Sequence, residues 1–405
     1  MKTIAIIGGG ASGLIAASVA ARNNNKVIVF EKRSICGKKI LVTGNGRCNY
    51  WNSDQDMKHY YSNNKEVLEK INTDDNRREV LNFFDRLGII PYIKNGYYYP
   101  YSKEASTIKN ALLEEAIRNN VEIVTNFTVK NVKKENGVFI INQKEENIKV
   151  DSVILATGSL AYYKDEEAKI GYEIAKSFGH DIVKVLPSLV QLKAEGSFFK
   201  EWAGIRSDVI ITINSGDEKL KEEEGEILLT DYGISGICVF NISGIAARLI
   251  DGKKDVVVKI NFIPWYEENN FVTFLDDRQK KVTNLTIGQL LEGFLNSKLV
   301  KVLLKLTGIS RDKYWQELSN VEKELIVNSI QDFSLKITGT NSFDKAQVCS
   351  GGVRLSEINP YTMESKKEKG LYIIGELLDV DGDCGGYNLG FSFLSGIIAG
   401  KSVGI

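Results

Sequence analysis

Residues 3–31 read TIAIIGGGASGLIAASVAARNNNKVIVFE, and this stretch decides the fold. Thr3–Ile7 is a short apolar run suited to a buried parallel strand. Gly8, Gly10 and Gly13 follow as G-x-G-x-x-G, Ala11–Arg22 reads as an alanine-rich helix, and Lys26–Phe30 reads as a second strand ending at Glu31. Each glycine has a physical task in such a turn. Gly8 permits the tight turn, Gly10 lets backbone approach a pyrophosphate, and Gly13 lets helix and strand pack closely. The free amides of Ala11, Ser12 and Gly13 at the helix start favour phosphate charge. Glu31 lies 18 residues after Gly13, where a carboxylate accepts from a ribose hydroxyl. A Gly-rich turn alone does not account for that acid, so the stretch reads as a dinucleotide site. The acid also disfavours a 2′-phosphate, which makes NADP the least favoured occupant.

The sequence around this unit bears on which dinucleotide it holds. Lys32 follows the acid; then come Lys38 and Lys39, and Thr43-Gly44-Asn45-Gly46-Arg47-Cys48-Asn49. That loop can wrap the far side of a pyrophosphate and reach a flavin, and the competing reading is a Gly/Asn surface turn. Asp151–Gly158 is an apolar strand ending in the small-residue turn Ala156-Thr157-Gly158. Before it, Phe127–Val132 and Gly137–Asn142 read as a hairpin, with Val129 either pairing its backbone to an adenine edge or filling a strand core. Near the C-terminus, Leu371–Ile374 is a strand that Gly375-Glu376 ends. Gly385-Gly386-Tyr387-Asn388-Leu389 then opens a small-residue helix, whose amides can stabilise negative charge on a reduced flavin ring. Glu376 and Asp379 stand where a carboxylate would hold a ribityl chain, or where acids simply line a turn.

Composition narrows the function. The chain has 405 residues, with 52 Lys+Arg against 52 Asp+Glu. Zero net charge argues against general nucleic-acid binding. No apolar run is long enough to span a membrane, and Gly8-Gly9-Gly10 interrupts the N-terminal run that could pass for a secretory signal. Five scattered cysteines without a C-x-x-C read as reduced thiols of a cytoplasmic protein. Two histidines, His59 and His180, disfavour a His-based metal site or a Ser-His-Asp triad, so the chemistry belongs to a bound cofactor and no metal is expected. Both histidines lie outside the flavin motifs.

The chain resembles the bacterial FAD flavoproteins of the YhiN/BaiN type, which include aminoacetone oxidase-like and NAD(P)/FAD-dependent oxidoreductases. The resemblance rests on IAIIGGGASGLIAA (4–17), EKRSICGKKILVTGNGRCNYWN (31–52), GEILLTDYGISG (225–236), GGVRLSEINPYTMESK (351–366) and LYIIGELLDVDGDCGGYNLGFSFLSGIIAG (371–400). It implies FAD as cofactor, with NADH or NADPH as a candidate electron donor. It also implies an α/β architecture: a discontinuous Rossmann-like FAD-binding domain (1–187 and 342–405), an inserted β-barrel (188–265) and a helical subdomain (266–341). The sequence shows strand-like runs at Leu189–Lys193, Asp208–Asn214, Glu226–Thr230 and Val256–Phe262, then helix-like runs at Ile287–Leu295 and Val321–Ser329. The family pattern after ATG is a further glycine and a proline-containing loop, whereas 156–163 here read ATGSLAYY.

The expected activity is that of an FAD-dependent oxidoreductase on a small or medium organic molecule held between the FAD domain and the insert. Two reactions compete within that class. One is hydride transfer to an enone C=C bond, as the bile-acid member implies, and the other is amine oxidation by oxygen, as the aminoacetone label implies. A tRNA-modifying flavoprotein and a non-catalytic flavin binder are the other classes, and the oligomeric state is left open. Tyr387, beside the flavin by motif, is the candidate proton donor. Tyr97, Tyr98, Tyr99 and Tyr101 line a substrate pocket or pack as a hairpin, and Tyr162 and Tyr163 follow the ATG turn. Gly396–Ser402 ends in Gly-Lys-Ser, but the chain stops too soon for a phosphate-binding helix to follow.

Overall fold

A computed structural model describes residues 1–143, 146–162, 166–266, 270–282 and 284–405. Tyr163 lies outside them. The chain folds as two compact units: residues 1–186 with 347–405, and residues 187–346.

The first unit is built on a five-stranded sheet in the order Leu371–Ile373, Ser152–Leu155, Thr3–Ile7 (β1), Lys26–Phe30 (β2), Glu122–Val124. All four pairings are parallel. Ile4–Ile7 and Val27–Phe30 are buried almost completely, as strands covered on both faces must be. From β1 the chain moves to β2 on one side, and Ser152–Leu155 lies on the other. The strand order therefore reverses at the C-terminal end of β1, where open α/β sheets place ligands. Helix α1, Ala11–Arg22, and the C-terminal helix, Tyr387–Ser402, pack against each other through small residues. A Cβ added at Gly396 would sit 2.4 Å from Ile15 Cγ2, and one at Gly400 would sit 2.7 Å from Ala16 O. The glycines of the Gly-Lys-Ser decoy thus serve helix packing. The expected hairpin forms between Asn131–Glu135 and Val138–Gln143. Its first arm begins at Asn131 rather than Phe127, because the Phe127 N–H is taken by Glu31 O at 2.9 Å.

The second unit is a closed barrel of six strands in the order Leu192–Ala194, Gly233–Gly236, Glu218–Leu229, Arg206–Ser215, Val257–Asn261, Phe333–Thr340. Alternate residues such as Val209, Ile211 and Ile213 fill it. Four helices, Phe271–Lys281, Ile287–Glu292, Ser297–Thr307 and Asn320–Gln331, lie in sequence between its last two strands. This corrects the sequence boundary in one respect. Phe333–Thr340 falls within the stretch assigned to the helices, yet it closes the barrel by pairing with Val257–Ile260 and Leu192–Ala194. Its burial alternates strictly from Phe333 to Ile337, the period of a half-buried strand.

Candidate functional site

The sequence around β1 and α1 assembles the first end of the site. Gly8 has φ +109°, and a Cβ there would stand 2.3 Å from Ala156 O and 3.0 Å from Thr157 Cα. A Cβ on Gly13 would lie 1.9 Å from Gly8 O. A Cβ on Gly10 would meet nothing within 4 Å. Two of the three glycines are therefore demanded by the fold itself, and the third leaves backbone open to whatever approaches it. Glu31 closes this turn: its Oε2 accepts from Gly9 N at 2.9 Å and its Oε1 from Arg33 N at 2.8 Å. Lys32 beside it is half-buried, and Ser12 is buried against Gly375, whose added Cβ would stand 2.6 Å from Ser12 Oγ.

Glu376 is brought to this end from far along the chain. Its Oε2 is 2.6 Å from Lys39 Nζ, and its Oε1 accepts from Ser159 Oγ at 2.6 Å. The carboxylate carries a pair of charge-assisted contacts, and Ser159 is a partner that the motif reading did not name. Gly158 follows Thr157, whose Oγ1 would lie 2.0 Å from a Cβ on Gly171. Lys38 is exposed at the start of the 310 turn Lys38–Gly46. Val129 is buried outside any strand, beyond the Phe127–Glu31 bond.

The second end forms at the start of the C-terminal helix. Gly386, with φ +95°, lies so close to Trp51 that an added Cβ would be 2.6 Å from its backbone. Asn52 Nδ2 donates to Gly385 O at 2.9 Å. Asn49, with its amide oriented to donate, bonds Tyr98 O at 3.1 Å and Trp51 O at 2.9 Å. Asn388 clamps the preceding turn: Oδ1 accepts from Gly382 N at 2.9 Å and Nδ2 donates to Gly382 O at 2.8 Å. Leu389 is half-buried in the helix's first turn. The loop and the C-terminal motif, separate in sequence, thus form one cluster.

Other predicted residues have local partners. Thr43 Oγ1 donates to Ile40 O at 2.7 Å, and an added Cβ on Gly44 would lie 2.7 Å from Asn49 N. Asn45, Gly46 and Arg47 are exposed, with the Arg47 guanidinium 5.3 Å from the Tyr99 ring centroid. Cys48 is buried and burial pushes its thiol up to about 12, so it is no nucleophile at neutral pH. Asp379 is fully buried and accepts from Asn63 N at 3.2 Å and Asn63 Nδ2 at 3.0 Å. The tyrosine run forms a hairpin, Pro91–Lys94 with Tyr97–Pro100, and Tyr97 packs on Gly385. Tyr162 is exposed, with positive φ.

Tyr387 is buried, and burial raises its phenol above the ordinary tyrosine range, with Asp54, Tyr60, Tyr97 and Asp383 adding to the effect. It keeps its proton through the physiological range. Both histidines lie outside the flavin motifs in sequence, yet in the folded chain His59 stacks on Tyr387 with ring centroids 4.7 Å apart and 18° between planes. Nothing in the spacing signals it. His180 follows the helix Ile170–Ser177 but is also the centre of a buried network: Nδ1 lies 2.9 Å from Glu357 Oε2 and Nε2 2.7 Å from Ser365 Oγ. Ser365 Oγ already accepts from Lys367 N and Glu368 N, both at 3.0 Å, so its hydrogen goes to Nε2. This Ser-His-Glu array resembles a hydrolase triad in order only: both lone pairs of the hydroxyl are engaged, and it is buried. Among the described residues no cluster of three or more His, Cys, Asp or Glu side chains could hold a metal ion. No helix among them is long and apolar enough to cross a membrane.

Comparison with known proteins gives four findings. The family model described as "HI0933-like protein Rossmann domain" matches residues 2–402. The chain is 38% identical over 404 residues to a 3-dehydro-bile acid delta(4,6)-reductase of Clostridium scindens, covering 99% of each chain. It is 27% identical over 406 residues to a ribosomal RNA dihydrouridine synthase of Escherichia coli, covering 98% of each. Among solved structures, it is similar to a 3-ketosteroid-delta4-(5alpha)-dehydrogenase of Rhodococcus jostii, with 13% identity, a TM-score of 0.49, and 98% and 96% of the two chains covered.

Proposed function

The chain belongs to the HI0933-like family and is an FAD-dependent oxidoreductase, and from that premise we propose that it reduces a carbon–carbon double bond conjugated to a carbonyl group. The substrate class is a small or medium organic enone. The observation that carries this reading is the 38% identity, along the whole chain, to a reductase of 3-dehydro-bile acids. The more distant relative, a dihydrouridine synthase, also saturates a double bond beside a carbonyl. One reaction type therefore spans both relatives, which favours it over amine oxidation.

The residues fit the cofactor. The open space over Gly10 admits a pyrophosphate, with the amides of Ala11, Ser12 and Gly13 directed at its charge. Glu31, already accepting from Gly9 and Arg33, has lone pairs left for a ribose hydroxyl. Lys32, Lys38 and Arg47 add positive charge along the loop, and the Thr43–Asn49 backbone and the Ala156–Gly158 turn would help to hold the flavin. The Lys39–Glu376 pair and Asp379 would hold the chain that links flavin to phosphate, and the backbone at Val129 and Gly375 would add further contacts to the cofactor. FAD, when bound and reduced by two electrons from the donor, would supply the hydride that adds to the β carbon of the enone. The helix start at Gly386–Leu389 stabilises the negative charge that accumulates nearby. The Tyr387 phenol, held protonated by burial, donates the proton that the α carbon needs. NADH or NADPH is the electron donor, and the five free cysteines support a reducing cytoplasm as its setting.

A second reading, favoured by the 27% identity to the dihydrouridine synthase, takes a uridine of RNA as the enone. One experiment separates them. The purified protein is bleached anaerobically with NADH or NADPH, then mixed with a 3-oxo-Δ4 steroid, with ribosomal RNA, or with air. Reoxidation by the steroid faster than by air is the expected result. Reoxidation only by RNA transfers the assignment to the second reading, and rapid reoxidation by air alone points to an oxidase. Absence of flavin bands after FAD is added overturns the reading.

A further inference from the structure

His59 makes a contact on each ring nitrogen. Nδ1 lies 3.0 Å from Asp383 Oδ2, and Nε2 lies 3.0 Å from Asp54 Oδ2. A carboxylate only accepts, and a neutral imidazole has a single N–H. Both contacts are therefore made together only by the imidazolium. Asp54 is held below the ordinary carboxylate range, first by the Asp56 N–H and then by His59, so it remains an acceptor. The two carboxylates belong to opposite sides of the ring: Asp54 precedes the turn Met57–His59, whereas Asp383 begins the run that leads into the C-terminal helix. The backbone reinforces the join, since Asp383 N donates to His59 O at 2.9 Å and Gly382 pairs with Tyr60. The flat face of the imidazole covers Tyr387, and Tyr60 meets that phenol edge-on at 5.4 Å.

We propose that His59 is a positioning residue of the candidate site: its imidazolium latches the Asp383–Gly386 turn and the ring of Tyr387 in place at the start of the C-terminal helix. This rests on reading that helix start as the flavin end of the FAD site. The groups facing the ring are Asp54, Asp383 and Tyr387. Lys58, 3.8 Å from Asp54 and 3.4 Å from Asp56, is the nearby cation, and it sits on the solvent side.

Two readouts test the latch without any substrate: amide hydrogen exchange of residues 382–389, corrected for intrinsic rate, and the dissociation constant of FAD. His59→Gln has one neutral donor group, so it exchanges faster and binds FAD about tenfold more weakly, the loss expected for a charge-assisted bond. His59→Arg keeps a charged double donor and stays slow-exchanging and tight. A His59→Gln protein indistinguishable from the natural one, or a His59→Arg protein as loose as His59→Gln, overturns the proposal. Asp383→Asn removes the charge from the other side and gives the same loss should His59→Gln fail to fold. A wild-type protein that binds no FAD sinks the flavin reading, while the exchange profile still decides the latch.

Discussion

The two ends of the candidate site are built in opposite ways. At Gly8–Gly13 every decisive contact involves backbone and most are close in sequence: Gly13 crowds Gly8, and Gly9 N donates to the Glu31 carboxylate 22 residues on, while Ala156 alone comes from afar. At Tyr387 they are side-chain contacts between remote segments: Asn52 and Gly385 are 333 residues apart, and His59 and Asp383 are 324. The glycine turn of the first end takes its shape from a strand, a turn and a helix in succession. The second exists only once the sheet has formed and the C-terminal helix has packed on α1. A local end is fixed by steric rules that single residues obey, whereas a remote end is fixed by topology.

The sharpest way to break this contrast is to crowd the local end. Gly13→Val would bring a Cβ to 1.9 Å from Gly8 O, and it should cost about 3 kcal/mol and abolish flavin retention. Urea unfolding and the visible spectrum read both effects, and an unchanged midpoint would show that the turn yields. The remote end should suffer somewhat less from Gly386→Ala, which combines φ +95° with a 2.6 Å approach to Trp51. About 2 kcal/mol is expected, with disturbed flavin fluorescence, since a small side chain both strains the backbone and pushes on a neighbour. Gly10→Ala separates fold from cofactor. Its Cβ meets no protein atom within 4 Å, so stability should stay within about 0.5 kcal/mol while FAD binds about tenfold more weakly, a loss near 1.4 kcal/mol. Equal loss of stability and binding would contradict the assignment of that open space to the pyrophosphate.

The smallest effect concerns His180, remote from both ends. Burial lowers its ring below the ordinary histidine value of 6.5, against the pull of Glu357. A group with a depressed folded value stabilises the fold above its unfolded value, and that contribution is lost as pH falls through the folded one. Burial works to raise Glu357, but the Asp181 N–H, Lys367 and His180 together hold it below 4.5, so its contribution is lost in the same direction at lower pH. Stability should therefore begin to fall below about pH 6.5 in the natural protein, and His180→Gln should flatten that part of the acid dependence, leaving the carboxylate part. Thermal unfolding across pH 4–8 checks it.

Particular residues show how far the sequence could be read. Gly8, Gly10, Gly13 and Glu31 declared themselves because their spacing follows from one supersecondary unit, and the structure gives each glycine the steric situation that its position implied. The strand Phe333–Thr340 carried a visible alternation but was masked by the helical runs before it, since period alone does not say which sheet a strand joins. Ser159 and Trp51 sit in quoted stretches but, like His59, carried no local signal of a role. Their importance comes from Glu376, Gly386 and Tyr387, residues that reach them only in the folded chain.

By itself, the sequence determined that β1, its glycine turn, α1, β2 and Glu31 form a dinucleotide-binding unit, because these contacts arise between near neighbours under fixed backbone sterics. It also carried the C-terminal glycine run that starts a helix. Only the tertiary structure decided that this helix start lies against Asn49, Trp51, His59 and Tyr97, and that Glu376 pairs with Lys39. Those contacts join segments hundreds of residues apart, and the closure entropy that such loops must overcome is met by packing of the whole unit rather than by any local pattern.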